Sequence, residues 1–322
     1  MGEESIVNKR IGRLGNAAQR YLANVGATIA ALFRRPFDPR LWTAPAAAFL
    51  IAGAVSYIPL TTPPTQRFYT LAIRLSQMGR RAEAKPWLDR AIAATPDDPL
   101  ARLSLGRLYL ENGGAEGALP DLQRAVALAP DLAEAHATLG HALGVVGRRA
   151  EALTQLEATV RLTPDAAAAH TNYGVALWYA GQQEAAIAQY RETVRLQPDD
   201  PIGHNNLALA LYQTGRAAEA AAGFEKALTL KSDYSEAHSN FALLLTERGD
   251  LDQALRHFEA ALGSQPTNFG INVNAGDLLM KMHRPADAAV RYKAALANAP
   301  DSIEPVLTVI EHLAQALIDD NK

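Results

Sequence analysis

The sequence predicts an all-α solenoid of seven helix–turn–helix repeats, preceded by an amphipathic helix and one transmembrane helix. Three observations predict this fold. Ala and Leu dominate the 322 residues and runs of β-branched residues are few, which favours helices. Residues 65–302 repeat with a period of 34 residues and no insertion. Near the N-terminus, residues 41–60 carry no charge over a length that suits a membrane span.

Residues 1–40 are predicted to form a basic amphipathic helix that ends in a turn. Apolar residues recur at three- or four-residue steps between Ile6 and Phe33, and Lys9, Arg10 and Arg13 occupy the other side. Residues 1–64 hold seven Lys and Arg against three acidic residues, a balance of +4. The pattern fits a helix lying in the membrane interface and, equally, a helix packed on another subunit.

Residues 41–60 are predicted to form the transmembrane helix. Twenty residues at 1.5 Å each would reach ~30 Å, the thickness of a bilayer core. Aromatic residues near both ends suit the membrane interfaces. The main alternative is a cleaved signal peptide with a processing site at residues 52–54. The residues expected to anchor the chain are Trp42, Phe49, Leu50, Ile51, Val55, Tyr57 and Ile58.

The charges that flank this segment predict its orientation. Seven basic residues precede it, and only Arg67 closely follows it. The positive-inside rule therefore places the N-terminus in the cytoplasm and the repeats on the far side. We expect a single-pass protein of a bacterial inner membrane with its repeats in the periplasm.

After a linker at 61–64, each repeat shows the same columns of residues. The units are 65–98, 99–132, 133–166, 167–200, 201–234, 235–268 and 269–302. Position eight is always Gly or Ala, position twenty is always Ala, and position twenty-four is always large. Small residues let two antiparallel helices approach closely, and the large residue fills the space beside them. Glycine at position fifteen ends the first helix in six units, and Pro at position thirty-two stops the second.

These columns resemble the tetratricopeptide repeat over about three quarters of the chain. The resemblance implies a right-handed superhelical solenoid whose first helices line a concave groove. Residues 303–322 have the pattern of an amphipathic helix that caps the last repeat. Pro86 and Pro120 fall inside second helices, where we expect a kink or a lost hydrogen bond.

Four histidines occupy position four of successive repeats: His136, His170, His204 and His238. A zinc ion needs all its ligand atoms ~2 Å away. Equivalent side chains of successive repeats stand on helices ~8–10 Å apart and point the same way. We therefore expect these histidines to hold the two helices of each hairpin together, and we expect no metal site.

The resemblance also indicates which residues would bind a partner. In peptide-binding members of the family, asparagines at position six hold the backbone of an extended peptide. Here that column holds Asn172, Asn206, Asn240 and Asn274. An amide offers both a donor and an acceptor, although it can also bond within its own repeat. Other groove positions in repeats four and five place Val175, Trp178, Tyr179, Asn205, Leu209 and Tyr212 in the same surface.

The family's clamp for a C-terminal carboxylate is disfavoured, because positions two, five and six of units two to seven hold no Lys or Arg.

The remaining composition narrows the function. Residues 65–322 hold 24 basic and 31 acidic residues, a balance of −7 that argues against binding nucleic acid. The chain has no cysteine, which excludes disulfides and thiolate ligands. Phosphate-binding loops, nucleophile elbows and zinc-protease motifs are absent, and carboxylates such as Asp98 and Asp200 sit where they would cap helices. We expect neither catalysis nor a cofactor.

The sequence thus predicts a membrane-anchored scaffold that binds protein partners, including an integral membrane complex, and helps to assemble or stabilise it. Two alternatives remain open. One is a permanent accessory subunit of a respiratory or photosynthetic membrane complex. The other is a chaperone-like assembly factor for secreted or haem proteins, which would release its client.

Overall fold

The computed structural model describes residues 64–300 and 303–320. The predicted amphipathic helix, the predicted span at 41–60 and its anchoring residues lie outside this part of the chain. Among the residues described, no helix is both long and apolar enough to cross a membrane. The membrane anchor therefore stays a prediction.

Fifteen α-helices account for most of the described residues, and these residues include no β-strand. The helices are α1 (Pro64–Gln77), α2 (Arg81–Ala94), α3 (Pro99–Glu111), α4 (Ala115–Leu128), α5 (Ala133–Val145), α6 (Arg149–Leu162), α7 (Ala167–Tyr179), α8 (Gln183–Leu196), α9 (Pro201–Gln213), α10 (Ala217–Leu230), α11 (Ser235–Arg248), α12 (Leu251–Ser264), α13 (Phe269–Lys281), α14 (Pro285–Leu296) and α15 (Ile303–Asp320). The prediction of an all-helical solenoid is confirmed.

The helices follow the register of the sequence repeat. From the second repeat onward each first helix begins at position one, and every second helix begins at position seventeen. The turn between them uses the glycine column, because all six glycines at position fifteen have φ between 74° and 85°. His283 replaces glycine in the seventh repeat and takes the same left-handed conformation at φ 57°. The following residue closes the turn; the Arg148 N–H, for example, donates to the Leu143 carbonyl at 2.8 Å.

Polar side chains cap several of the first helices. The Asp98 carboxylate accepts from the backbone N–H groups of Leu100 and Ala101, at the start of α3. Asp200 does the same at the start of α9. These carboxylates satisfy backbone donors that a helix leaves open at its first turn. Their expected structural role is therefore confirmed.

The core of each hairpin joins positions eight, twenty and twenty-four. The alanines of position twenty and the large residues of position twenty-four are buried in every repeat. A Cβ added to Gly140 would lie 2.7 Å from the Leu156 side chain, and one added to Gly276 would lie 2.5 Å from Tyr292. Glycine at position eight therefore lets the two helices approach at these points.

The hairpins stack so that the first helices lie closest together. α3 contacts α5, α5 contacts α7 and α11 contacts α13 directly, whereas each second helix packs mainly on the first helices beside it. The first helices therefore line the inner side of the array. Pro86 and Pro120 are exposed, and α2 and α4 run through them without interruption, although each proline lacks the N–H that would continue the helical bonding.

The last helix packs on the seventh repeat. Val309 and Ala316 of α15 are buried against Leu279 and Tyr292. The opposite face of α15 also carries exposed apolar residues, namely Leu307, Ile310, Leu317 and Ile318. α15 thus covers the end of the core with a surface that is itself partly apolar.

Candidate functional site

A concavity of about 940 Å³ follows the first helices of repeats two to four. Its walls are positions five, six, nine, twelve and thirteen of α3, α5 and α7, and residues of α6 reach its base. These are the positions that the sequence assigns to the groove. The opening therefore belongs to the inner surface of the array, and it is centred nearer to the N-terminus than the predicted cluster in repeats four and five.

Exposed apolar side chains surround the middle of this concavity. Val145 is 61% exposed, Tyr179 is 72% exposed and Val175 is 40% exposed. Leu110 lines the same space from α3. Gly144 also lines this space, and a Cβ added there would meet no atom within 4 Å. The missing side chain of Gly144 leaves open the space that a larger residue at position twelve would fill.

Charged side chains also line the concavity. Arg107 is paired with Glu134, and Glu111 accepts a hydrogen bond from Ser76 at 3.3 Å. His141 and Arg149 line the concavity, and neither pairs with a carboxylate among the residues described. The groove thus joins an apolar surface to the Arg149 guanidinium, which pairs with no carboxylate among the residues described.

The predicted asparagine column differs from one repeat to the next. Asn172 is exposed and lines the concavity, whereas Asn206, Asn240 and Asn274 are partly exposed. The Asn240 side-chain amide donates to Asn205 Oδ1 at 3.1 Å, across two successive first helices. Of the four amides, Asn172 is the one that the structure places in the concavity, and partner binding by the column stays a prediction.

The predicted cluster in repeats four and five needs a correction. Asn205 is only 4% exposed, because its side chain lies between α9 and α11, so it cannot contact a partner directly. Trp178, Leu209 and Tyr212 are half-buried and pack against the core of repeats four to seven. Val175 and Tyr179 are exposed as predicted.

Tyr212 is tied to the next repeat. Its hydroxyl donates to the Glu247 carboxylate at position thirteen of the sixth repeat. Burial, and after it this hydrogen bond, raises the pKa of Tyr212 above its usual range. This part of the groove is therefore closed by the chain's own side chains.

Three of the four histidines join the two helices of their own repeat, as the sequence predicts, whereas His204 bonds to the Pro198 carbonyl of the preceding repeat. Nδ1 of His136 lies 2.7 Å from Gln155 Oε1, and Nε2 lies 3.0 Å from the Pro130 carbonyl. His170 makes the same pair of contacts with Gln189 and the Pro164 carbonyl. Each of these two rings therefore connects position twenty-three, on the second helix of the same repeat, to position thirty-two at the end of the preceding repeat. These residues stabilise the stack and do not face the groove.

The pairing of positions four and twenty-three extends beyond histidine, and the sequence columns did not reveal it. In the second repeat Arg102 pairs with Asp121 at 2.8 Å, and in the first Phe68 contacts Trp87 with ring centroids 5.8 Å apart. In the seventh repeat Asn272 reaches the Pro266 carbonyl at 3.0 Å. The fifth repeat has Gly223 at position twenty-three and the seventh has Asn272 bonded to the Pro266 carbonyl, so the two positions pair directly in repeats one to four and in repeat six.

The described residues contain no group of three or more His, Asp and Glu side chains that could hold a metal ion. The groove residues missed by the sequence reasoning include Leu110, His141, Gly144, Val145 and Arg149. Four of them occupy positions nine, twelve and thirteen of repeats two and three. If the groove positions used for repeats four and five had also been applied to repeats two and three, these four residues would have been identified.

The stacked hairpins and the lined inner surface define a helical-repeat solenoid of the kind that presents an extended groove. Family models of the tetratricopeptide repeat match residues 69–133, 138–201 and 176–235, and a second such model matches residues 245–313. The chain belongs to the tetratricopeptide repeat family. No curated protein sequence matches it.

Solved structures share the fold. A chain of the APC/C hetero-tetramer Cut9-Hcn1 superposes with a TM-score of 0.63 at 15% identity, covering 83% of this chain and 52% of that one. The Pseudomonas aeruginosa protein PilF gives a TM-score of 0.56 at 23% identity, over 67% of this chain and 97% of its own. A double mutant of MamA from RS-1 gives 0.50 at 23% identity, over 53% and 96%. This chain thus spans about half of the Cut9-Hcn1 chain that it matches.

Proposed function

We propose that this protein is a membrane-anchored scaffold that binds protein partners in the groove of repeats two to four. The binding would help to assemble or stabilise a multiprotein membrane complex, and the chain would have no catalytic activity of its own. One observation carries the proposal: Val145, Val175 and Tyr179 are exposed together on the inner surface of the array. Exposed apolar side chains that are grouped in a concavity are typical of interaction surfaces.

The polar lining supports a protein as the partner. The exposed amide of Asn172 stands beside the apolar patch and can donate to and accept from a peptide group. The groove follows successive first helices, so an extended segment would meet a similar set of positions in each repeat. A peptide satisfies both features, because it repeats its backbone donors and acceptors and varies its side chains.

The proposed location rests on the N-terminal sequence. The uncharged residues 41–60 and the basic residues before them support an anchor in a bacterial inner membrane, with a cytoplasmic N-terminus and a periplasmic array. Alkaline phosphatase fused after Lys322 should then be active. A fusion that is stable but inactive would contradict this orientation.

The binding function is tested by purifying the full chain from its own membranes in mild detergent. The double variant Val175→Ala, Tyr179→Ala should lose the co-purified partner, because it removes apolar area from the groove without touching the buried core. Val290→Ala is the matched control, since Val290 is 62% exposed on α14, away from the groove. If the groove variant keeps its partner at unchanged yield, the proposal is wrong.

The same purification separates the alternatives. Stoichiometric recovery that survives high salt would indicate a permanent accessory subunit, whereas substoichiometric and salt-sensitive recovery would indicate a transient scaffold. A chaperone-like assembly factor would bind the immature client and be missing from the mature complex.

A further inference from the structure

The concavity around Gly144 differs from two other steps of the groove in how neighbouring repeats meet. At those two steps, position twelve of one repeat bonds to position thirteen of the next: Ser76 donates to Glu111, and Tyr212 donates to Glu247. Between repeats three and four this pair is Gly144 and Tyr179. Glycine has no side chain to make the bond, and the Tyr179 ring is 72% exposed. The inner surface is therefore open at this step.

The open step is apolar at its centre. Val145 and Val175 line the same space as Tyr179. A Cβ atom added to Gly144 would meet no other atom within 4 Å, so the space beside this residue is empty. Such a space suits one large apolar side chain, which would be desolvated against the two valines and the tyrosine ring. A single anchor residue could therefore dominate the affinity.

The charges beside the open step favour an acidic neighbour to that anchor. His141 and Arg149 line the same space and have no carboxylate partner among the described residues. Arg107 is already paired with Glu134, and Glu111, in the second repeat, is the acidic group of the lining. A carboxylate bound beside the third repeat would thus meet the Arg149 guanidinium, whereas Glu111 lies in the second repeat.

We propose that the groove at repeats three and four selects an internal, extended peptide segment in which a large apolar residue is flanked by Asp or Glu. The apolar residue fills the space left by Gly144, Asn172 bonds to the peptide backbone, and Arg149 meets the acidic side chain. An internal segment fits better than a chain end, because positions two, five and six of these repeats hold no Lys or Arg for a terminal carboxylate. This specificity rests on the proposed function of the groove.

A library of random linear peptides, selected on the full chain in mild detergent, tests the specificity. The selected peptides should share an aromatic or branched aliphatic residue next to Asp or Glu. The best of them, acetylated and amidated at its ends, should bind Gly144→Leu ~30-fold more weakly, because leucine fills the opening. Arg149→Gln should bind ~5-fold more weakly, with a smaller dependence on salt.

Gly263→Leu is the matched control for the glycine substitution. Gly263 lies in α12 at an exposed site where an added Cβ also meets nothing within 4 Å, so this variant should bind the peptide normally. Circular dichroism of both variants confirms that the helices persist.

Three results would overturn the inference. The selected peptides could be rich in Lys and Arg, they could bind Gly144→Leu as tightly as the parent chain, or they could require a free C-terminal carboxylate. In each case, the co-purification experiment with the Val175→Ala, Tyr179→Ala variant still tests the scaffold function independently. Partner loss in that assay together with unchanged peptide binding by Gly144→Leu would refute the specificity and keep the function.

Discussion

Nδ1 of His238 lies 2.8 Å from Nδ1 of His257, so one imidazole donates a hydrogen bond to the other between the two helices of the sixth repeat. The rings are 5.1 Å apart, and the Phe241 ring lies 4.8 Å from that of His257. Burial, and after it the neighbouring His238 and Arg256, lowers the pKa of His257 to about 4. This hairpin is therefore held by a pair in which His257 stays neutral.

This pair makes stability depend on pH. The unfolded His257 has its ordinary pKa of about 6.5, and the folded one has a pKa of about 4. Between these values the unfolded chain binds a proton that the folded chain excludes, so stability falls as pH falls from about 6.5 towards 4. After discounting for the partial exposure of the ring, the loss should be roughly 1–2 kcal/mol.

The variant His257→Gln should remove this dependence. Gln155 and Gln189 hold the equivalent position in repeats three and four, where each bonds to a histidine, so the replacement keeps a hydrogen bond without a titrating group. Urea unfolding at several pH values should show a smaller loss of stability in acid. The control His141→Gln, at an exposed groove position, should follow the parent chain. Parallel curves for His257→Gln and the parent would contradict the assignment.

The buried histidine of the fourth repeat should be required for stability through its hydrogen bonds. His170→Ala leaves Gln189 and the Pro164 carbonyl without their partner and should cost about 2–3 kcal/mol. His170→Asn should recover part of this loss, because Asn272 reaches the corresponding carbonyl from the same position. Midpoints of urea unfolding measure both. If His170→Phe matched the parent chain, packing alone would explain the column.

Two glycines of α5 should respond to alanine in opposite directions. A Cβ at Gly140 would lie 2.7 Å from Leu156 Cγ, so Gly140→Ala should force the hairpin apart and cost about 1–3 kcal/mol. Gly144 faces open space, so Gly144→Ala should stabilise the helix by about 1 kcal/mol. Thermal unfolding of the two variants compares them in one helix. A loss of stability at Gly144 would show that its surroundings are closed.

The repeat register was predictable because it depends on residues that act locally. Three local features each favour a particular residue type at one position: a turn with positive φ favours glycine, a close helix crossing favours a small residue, and a helix start is capped by Asp. The glycine then appears in six repeats and the small residue in all seven, whereas a capping Asp recurs at Asp98 and Asp200. For this reason the helix boundaries agree with the repeat from Pro99 onward.

The groove was less predictable because its shape depends on relations between repeats. Asn205 and Asn206 are neighbours in sequence, but the way α9 meets α11 buries the first and leaves the second partly exposed. The opening at Gly144 lies in column twelve, a groove column that was interpreted only in repeats four and five, where it holds Trp178 and Tyr212. The pairs Arg102–Asp121 and Phe68–Trp87 would have been visible if positions four and twenty-three had been read together.

His283 occupies the position at which the other six repeats have glycine, and its left-handed conformation at φ 57° is sterically unfavourable for a residue with a Cβ atom. The ring is exposed, so His283→Gly should lose no buried contact and should stabilise the seventh repeat by about 1 kcal/mol. The reciprocal variant Gly181→His, at φ 78°, should destabilise the fourth repeat by a similar amount. Urea unfolding of both variants measures the change in stability. Equal stability of His283→Gly and the parent would contradict the steric cost assigned to this turn.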